Sequence, residues 1–180
     1  MKKLLTIIPL AVLLCFAIAC QNKAEKAELD KMKAMAQTEE QNKAVVHQFF
    51  EALDSQNFNR FIELLAPGAV LHGARPEEDI TAQNAAQYLE PFYRALPDLT
   101  HNIEDIFAKG DKVVARGFIQ ATHKAELQGI PATGNRLKYY QIAIFQVVDG
   151  KIKEAWNVTD SLGMMMQLGM ELKPKEAEKK

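Results

Sequence analysis

The chain has 180 residues, of which 48% are hydrophobic and 25% are charged, and its 22 basic and 23 acidic residues leave a net charge of −1. This balance argues against nucleic acid as a partner, because no basic surplus is available to displace counterions. Only two cysteines occur, Cys15 and Cys20, so the sequence offers neither a disulfide framework nor a cysteine-based metal site.

The first nineteen residues have the layout of a secretory signal: two lysines precede an apolar run, and small residues come at its end. The run is slightly short for a membrane-spanning helix. Its ending, "AIAC", resembles a bacterial lipobox, in which the signal is cleaved before a cysteine that then receives lipid. We therefore expect residues 1–19 to be a signal peptide and Cys20 to be a lipid attachment site. An ordinary cleaved signal and an uncleaved anchor are the alternatives.

This interpretation predicts an exported lipoprotein of the bacterial cell envelope, anchored in a membrane through its lipid and facing the periplasm or the cell surface. Residues 20–38 are rich in alanine, lysine and glutamate and have no wide apolar stripe, which predicts a tether. The domain proper is expected over residues 39–172. The charged residues 173–180 are expected to form a frayed tail.

The first half of the domain predicts helices. An amphipathic helix is indicated by apolar residues at helical spacing: Val45, Val46, Phe49, Phe50 and Leu53. A shorter helix follows in "FNRFIELLAPG", then a short strand in "AVLHG", and a third helix in "TAQNAAQYLEPFYRALPD".

The second half of the domain has the period of strands. Two strands are joined at "AKGD" and two more at Asp149-Gly150, with the Gly/Pro loop "QGIPATG" between the pairs. Helices followed by long strands predict an α+β fold, in which helices cover one face of a curved antiparallel sheet. The residues expected to be largely buried are Val113, Phe118, Ile142, Ile144 and Phe145.

The last hairpin predicts which residues face each other. With Asp149-Gly150 as a two-residue turn, Trp156 lies opposite Ala143, Val158 opposite Gln141, and Asp160 opposite Tyr139. A bulge would shift this register by one and bring Tyr140 in instead. A partly desolvated carboxylate at this place suits a general acid or base. Aspartate is also a favoured helix N-cap, and the spacing leaves both roles for Asp160 open.

The four histidines are spread along the chain and form no pair with the spacing of a metal site. We interpret His47 as a helix-flank residue and His101 as an exposed residue at a strand start. His72 and His123 each end a strand beside a loop, where they act either as hydrogen-bonded loop residues or as site residues. Met164–Met166 are expected to form a soft apolar lining.

Several motifs together resemble the SnoaL-like polyketide cyclase, or ester cyclase, family. They are Leu-Pro-Asp at residue 96, Thr-His before a Gly-Ile-Pro-x-Thr-Gly loop, Asp-Gly-Lys-Ile, Glu-x-Trp-x-x-x-Asp and Leu-Gly-x-x-x-Gln-Leu-Gly. The stretch "LLAPGAVLHG" is similar to the early strand of the family, which ends in histidine. The resemblance covers roughly residues 40–170. The chain departs from the family around His123, where "ATHKAEL" stands for the common Gly-Thr-His-x-Gly-x-Phe, and at Ala132, which replaces a proline.

The resemblance implies the nuclear transport factor 2-like fold, a cone in which a curved antiparallel sheet and about three helices enclose a pocket. Cyclases of this family close rings by a cofactor-free aldol reaction in which an aspartate moves the proton. By position, Asp160, His123 and His72 are the implied catalytic residues. The implied substrate-binding residues are Trp156, Tyr140, Gln141 and Met165. We expect no cofactor and no metal, and a small apolar substrate.

Two other functions remain open at this point. The same cone would serve a non-catalytic envelope lipoprotein that binds a hydrophobic ligand or a partner protein. A homodimer formed through the open face of the sheet is the third hypothesis.

Overall fold

The computed structural model describes residues 7–73, 79–171 and 173, with side chains from residue 23 onward. The chain divides into two compact units, Met1–Thr38 and Glu39–Lys180. The predictions for residues 1–6, for the side chain of Cys20 and for the tail after residue 173 lie outside the described part. Among the residues that are described, no helix is long and apolar enough to cross a membrane.

The described elements follow the predicted order of helices and then strands. The helices are α1 (Ile7–Asp54), α2 (Phe58–Glu63), α3 (Ala85–Ala95) and α4 (Ser161–Gln167). The strands are β1 (Leu65–His72), β2 (Ile80–Thr81), β3 (Thr100–Lys109), β4 (Lys112–Thr122), β5 (Arg136–Val148) and β6 (Lys151–Thr159). In the first unit, the predicted tether is helical and the side chains of residues 23–38 are exposed.

The six described strands form one open sheet in the order β2-β1-β6-β5-β4-β3. The α+β prediction is confirmed, with helices packed on the sheet. The prediction of a wholly antiparallel sheet is wrong, because β1 pairs with β6 in parallel. A long connection, which here includes α3 and four further strands, is what parallel pairing of two strands requires.

The part of helix α1 that belongs to the second unit, residues 39–54, covers one face of the sheet, which we call the inner face; the opposite face is the outer face. The rings of Phe49 and Phe50 lie 5.2 and 5.6 Å from the ring of Phe145 on β5. Because side chains alternate along a strand, the neighbours of Phe145 on β5 point to the outer face. The burial predicted for Ile142 and Ile144 is therefore wrong, since these side chains are 49% and 40% exposed.

The other burial predictions divide in the same way. Val113 and Phe145 are buried, as predicted, because both lie on the inner face. Phe118 is only half-buried, because side chains alternate along β4 and Phe118 belongs to the half-buried row on the outer face. The strand assignments were thus right, while the choice of face was wrong for part of the chain.

A bulge in the last hairpin decides which face its residues reach. Asp149 and Gly150 have φ values of 50° and 72°, the left-handed conformations of a tight hairpin turn, and Val147 lies opposite Ile152. Beyond this pair the register shifts by one residue, so that Gln146 lies opposite Glu154. A one-residue shift moves every later side chain to the other face.

The predicted register of β6 is therefore wrong after the first pairs, and the bulge that the sequence left open is present. Trp156 lies opposite Ile144 on the outer face, and Val158 lies opposite Ile142. Ala155, opposite Phe145, takes the buried position on the inner face.

Candidate functional site

Asp160 is the N-cap of α4. Its Oδ1 accepts a hydrogen bond from the Gly163 N–H at 2.8 Å, and its own N–H donates to the Tyr140 carbonyl at 2.9 Å. The side chain is exposed. The predicted position opposite Tyr139, in a partly desolvated site, is wrong because of the bulge, and the structure shows the capping role that the sequence had left open.

Three of the other predicted site residues lie on the outer face. The ring of His72 stacks on Trp156, with centroids 5.0 Å apart and an interplanar angle of 14°. Lys112 places its Nζ 4.4 Å from the centre of the same indole. Tyr140 is 60% exposed on this face. The sheet thus separates these side chains from those of the inner face, and the structure does not bring the predicted residues together in one site.

His72 also contacts two carboxylates. Its Nδ1 lies 2.9 Å from Oδ2 of Asp79, and its Nε2 lies 3.7 Å from Oε2 of Glu154. These contacts join β1 to β6 and to the residue before β2, and the catalytic role implied for His72 stays a prediction.

Two of the predicted residues do lie on the inner side of the fold: His123 is fully buried and Gln141 is 8% exposed. The bulge turns two more polar residues toward this side: Asn157, which is exposed, lies opposite Ala143, and the half-buried Thr159 lies opposite Gln141. Sequence reasoning missed both. The buried Ile152 and Ala155 are three residues apart, which breaks the two-residue alternation of a strand, and this break is visible only once burial is known.

His123 has an unpartnered nitrogen in the interior. Its Nδ1 accepts a hydrogen bond from the Thr133 N–H at 3.2 Å and lies 3.1 Å from the Thr133 hydroxyl. A backbone N–H can only donate, so the proton of the neutral imidazole is on Nε2. This Nε2 has no hydrogen-bond partner among the described residues. A buried donor without a partner costs about 1–3 kcal/mol and calls for an explanation.

The backbone around His123 holds the ring in place. The His123 N–H donates to the Asn135 carbonyl at 3.0 Å, and the His123 carbonyl accepts from the Gly134 N–H at 2.9 Å. The next residue ties the loop to α3, since the Lys124 N–H donates to the Ala95 carbonyl at 2.9 Å. The Gly/Pro loop of the sequence thus fixes the histidine that precedes it.

The exposed position predicted for His101 is wrong. Its side chain is only 7% exposed, and its Nδ1 lies 2.5 Å from Oδ1 of Asp54, the last residue of α1. Both oxygens of Asp54 also accept the backbone N–H of His101, each at 3.1 Å. The two residues are 47 positions apart, and no local pattern in the sequence connects them.

Two buried tyrosines lie near this pair. Tyr93 and Tyr139 are 4% and 3% exposed. Burial raises the pKa of both phenols far above the ordinary value, and the charges of Asp54 and of ionised Tyr139 raise that of Tyr93 further. The Tyr139 hydroxyl has no partner among the described residues. Both phenols therefore stay protonated and are available as hydrogen-bond donors.

Helix α4 carries Met165, which is partly buried against the core. The helix is attached to β5 by Gln167, whose Nε2 donates to the Lys138 carbonyl at 2.9 Å and whose Oε1 accepts the Lys138 N–H at 2.8 Å. Met165 thus packs at the edge of the core.

An open groove of about 330 Å³ is present at the ends of β4 and β5. Its lining residues are Asp98, Thr100, Gln120, Ala121, Thr122, Arg136, Leu137 and Lys138. Hydrogen bonds from Thr122 lower the pKa of Asp98, whose carboxylate accepts the Thr122 hydroxyl at 2.6 Å. The aspartate of the Leu-Pro-Asp motif therefore joins the start of β3 to β4. In the described ranges, no group of three His, Cys, Asp or Glu side chains is placed to hold a metal ion.

Comparison with known proteins agrees with this fold. Residues 43–168 match the family model of the SnoaL-like polyketide cyclases. The chain is 32% identical over 111 residues to the aklanonic acid methyl ester cyclase DnrD of Streptomyces peucetius, covering 60% of this chain and 73% of that protein. It is 34% identical over 112 residues to the corresponding cyclase DauD of Streptomyces sp. strain C5, covering 59% of this chain and 65% of that protein.

Solved structures give the same result. The putative polyketide cyclase IdmH of Streptomyces antibioticus superposes with a TM-score of 0.64 at 28% identity, over 72% of this chain and 99% of that one. AclR of Streptomyces galilaeus, described as a putative hydroxylase, superposes with a TM-score of 0.65 at 26% identity, over 75% of this chain and 97% of that one. Motifs, sheet order and these similarities lead to one conclusion: the chain belongs to the SnoaL-like polyketide cyclase family.

Proposed function

We propose that this protein is a cyclase-type enzyme that closes a ring in a small apolar carbonyl compound by proton transfer, without a cofactor. Membership of the family supports a cyclase-type function, and the relatives DnrD and DauD are both named aklanonic acid methyl ester cyclases. We place the reaction on the inner face of the sheet, where the buried side chains of His123 and Gln141 lie.

The unpartnered Nε2–H of His123 is the observation that carries the proposal. A carbonyl oxygen placed beside it would accept the hydrogen bond that the protein leaves unmade. When a proton leaves the neighbouring carbon, negative charge develops on this oxygen, and the bond becomes stronger. A fixed donor in a buried, low-dielectric place stabilises such charge without reorganisation.

The inner face also offers neutral polar groups for positioning a substrate. Gln141 and Thr159 lie opposite each other, and Asn157, whose side chain is exposed, lies opposite the buried Ala143. These side chains can donate and accept hydrogen bonds but do not exchange protons at neutral pH. We do not assign the proton transfer to Asp160, because its carboxylate is exposed and caps α4.

The proposal includes the cell envelope as the place of action. The layout of residues 1–19 and the "AIAC" ending support export and attachment of lipid at Cys20. A lipid-anchored cyclase would act on an apolar substrate close to a membrane.

Cyclisation of aklanonic acid methyl ester by the purified full-length chain tests the proposal. We expect the wild-type protein to form the cyclised ester, detected by chromatography and mass spectrometry. His123→Ala should lower kcat by about 10²–10³-fold, the usual effect of removing one donor to a developing oxyanion. His47→Gln is the matched control, because His47 is an exposed histidine of α1 and its loss should change nothing. A wild-type rate equal to that of His123→Ala would contradict the proposal.

The alternative function is binding without chemistry. The observation that favours it is the position of Asp160, since the acid that the family resemblance implied is absent from the inner face. A ligand-binding protein would bind the ester and release it unchanged. Calorimetry together with product analysis separates the two functions.

A further inference from the structure

We infer that Asp54 and His101 form a general base on the inner face, in which His101 takes a carbon-bound proton from the substrate and Asp54 positions its ring. The place of this step in a ring closure rests on the proposed function. The base itself depends only on the two side chains and their surroundings.

The hydrogen bonds determine where the proton of the His101 ring lies. Oδ1 of Asp54 is 2.5 Å from Nδ1, and a carboxylate can only accept, so Nδ1 carries the proton. The lone pair of the neutral ring is then on Nε2. A carboxylate that orients a histidine in this way also stabilises the imidazolium that forms when Nε2 takes a proton.

The carboxylate is itself held in place. Both Asp54 oxygens accept the His101 backbone N–H at 3.1 Å. The backbone of His101 thus holds the carboxylate that orients the His101 ring. Phe50 lies against the imidazole, with ring centroids 4.9 Å apart. A base whose rotamer is fixed by packing and hydrogen bonds meets the geometric demand of general base catalysis.

The strand register places the pair beside the buried phenols. His101 lies opposite Ile119 on β4, and Ile119 lies opposite Tyr139 on β5. Neighbouring strands are about 4.8 Å apart, so His101 and Tyr139 are separated by roughly 10 Å at their Cα atoms. The charges of Asp54 and of ionised Tyr139 both raise the pKa of the buried Tyr93 after burial itself, so this phenol lies near both groups.

The unpartnered Tyr139 hydroxyl is the second observation that points to a ligand. It is buried without a hydrogen-bond partner among the described residues, which is unfavourable in a finished core. An enolate or phenolate oxygen would accept its hydrogen bond. Enolate formation needs a base to remove the proton and a hydrogen-bond donor to stabilise the oxygen. His101 and the Tyr139 hydroxyl, which lie on the same face of the sheet, can supply these two groups.

A purely structural role explains less of this arrangement. The two backbone hydrogen bonds to Asp54 already join α1 to β3. Residues earlier on α1 make further connections, since Asn42 donates to the Gly110 carbonyl and Glu39 accepts the Gly110 N–H, both at 2.9 Å. The attachment of α1 to β3 therefore does not need the contact between the His101 ring and the Asp54 carboxylate. What this contact adds is a defined tautomer of His101.

The chemical step balances without an external reagent. Nε2 of His101 takes a proton from the carbon beside a carbonyl, and the electrons of the broken C–H bond form the C=C bond of an enolate. The carbonyl oxygen takes the negative charge and accepts a hydrogen bond. In ring closure the enolate carbon attacks a second carbonyl, and the new alkoxide receives the proton back from His101.

The base is tested with 5-nitrobenzisoxazole, a small apolar carbon acid that undergoes no cyclisation. A base removes its ring C–H proton, the N–O bond breaks, and a coloured 2-cyano-4-nitrophenolate is released. We expect the purified full-length chain to catalyse this elimination with saturation. His101→Gln should lower kcat by about 10²–10⁴-fold, the usual contribution of a positioned base.

Asp54→Asn tests the positioning role. It should lower kcat while KM stays within about twofold, because the uncharged amide no longer stabilises the imidazolium but leaves the binding surface intact. Glu51→Gln is the matched control: Glu51 is an exposed carboxylate one turn earlier on the same helix. Its rate should equal that of the wild-type protein. Equal kcat values for wild type, Asp54→Asn and His101→Gln would overturn the inference.

A spectroscopic measurement keeps the inference testable if a variant does not fold. Heteronuclear NMR of the wild-type chain should show the proton of neutral His101 on Nδ1, and a proton on Nε2 would overturn the inference. The two proposals fail separately. If ester cyclisation persists in both His101→Gln and Asp54→Asn, the general-base inference is wrong and the proposed cyclase function stands. If the elimination depends on both residues but the wild-type protein does not cyclise the ester, the general base stands and the proposed cyclase function is contradicted.

Discussion

The Asp160 carboxylate and the Gly163 backbone N–H are joined by a hydrogen bond of 2.8 Å at the start of α4. The space between them leaves no room for a side chain on residue 163, since a Cβ there would lie 2.1 Å from Oδ2 of Asp160. The Asp160 cap therefore depends on glycine at residue 163, three residues after the cap, and α4 begins with this pair.

The first prediction concerns this cap. Asp160→Ala should lower the free energy of unfolding by about 1 kcal/mol, the usual cost of losing an N-cap, while Asp160→Asn should be close to wild type because asparagine caps as well as aspartate does. Urea denaturation measures both changes. Neither substitution should alter the rate of ester cyclisation. An Asn variant that keeps its stability but loses turnover by about 10²-fold or more would restore the acid/base role of Asp160.

A second prediction concerns Gly163. In Gly163→Ala the new methyl group should displace the Asp160 side chain and remove the cap, at a cost of about 1 kcal/mol. In an Asp160→Ala background there is no cap to lose, and alanine favours the helix over glycine by up to about 1 kcal/mol. The double-mutant cycle should therefore be strongly non-additive. Equal costs of Gly163→Ala in the two backgrounds would show that the methyl group collides with something other than the carboxylate.

The third prediction is a loss of stability at high pH. Below pH about 10, the ordinary pKa of tyrosine, neither the folded nor the unfolded chain releases the protons of Tyr93 and Tyr139. Above it, the unfolded chain releases them, while burial keeps them bound in the folded chain, so the free energy of unfolding falls as pH rises. Urea denaturation between pH 8 and 11 should show the fall.

Tyr139→Phe isolates one of these groups. It should reduce the slope above pH 10 by up to about 1.4 kcal/mol per pH unit, the value for one proton. At neutral pH the variant should be as stable as wild type or slightly more stable, since a buried hydroxyl without a partner is removed. The same slope in both proteins would mean that the Tyr139 phenol ionises without unfolding.

The fourth prediction concerns the anchor. If Cys20 carries lipid, Cys20→Ser should move the protein from the membrane fraction to the soluble fraction, because stable anchoring needs more than one acyl chain and the serine accepts none. Fractionation followed by immunoblotting measures this, and intact mass gives the number of acyl groups. A Cys20→Ser protein that keeps its membrane association after removal of residues 1–19 would show that lipid is not what holds it.

Local signals in the sequence predicted local structure well. The Asp149-Gly150 turn was predicted because it depends on two adjacent residues that accept left-handed conformations. The apolar spacing over Val45–Leu53 predicted the helix that carries Phe49 and Phe50 to the sheet. The motifs that resemble the cyclase family predicted the fold that the solved structures share.

The faces of the last strand could not be predicted from these signals. The turn sets the register for its first pairs only, and the bulge at Lys153 then moves Trp156 to the outer face and Asn157 to the inner one. The bulge is decided by packing, because the buried places opposite Val147 and Phe145 select Ile152 and Ala155. A two-residue period in the sequence does not tell where in β6 a bulge interrupts the alternation of faces.

By itself, the sequence determined the helices of the first half of the domain, the hairpin turns, the order of the long strands and the family, since these follow from neighbours within a few residues or from motifs. Only the tertiary structure decided which side chains meet. Asp54 and His101 contact each other across 47 residues, and β1 joins β6 in parallel, because folding closes long loops where burial and backbone pairing repay the loss of chain entropy. The candidate site belongs to this second kind of information: the unpaired Nε2 of His123 and the unpaired hydroxyl of Tyr139 exist only once the surrounding core has formed.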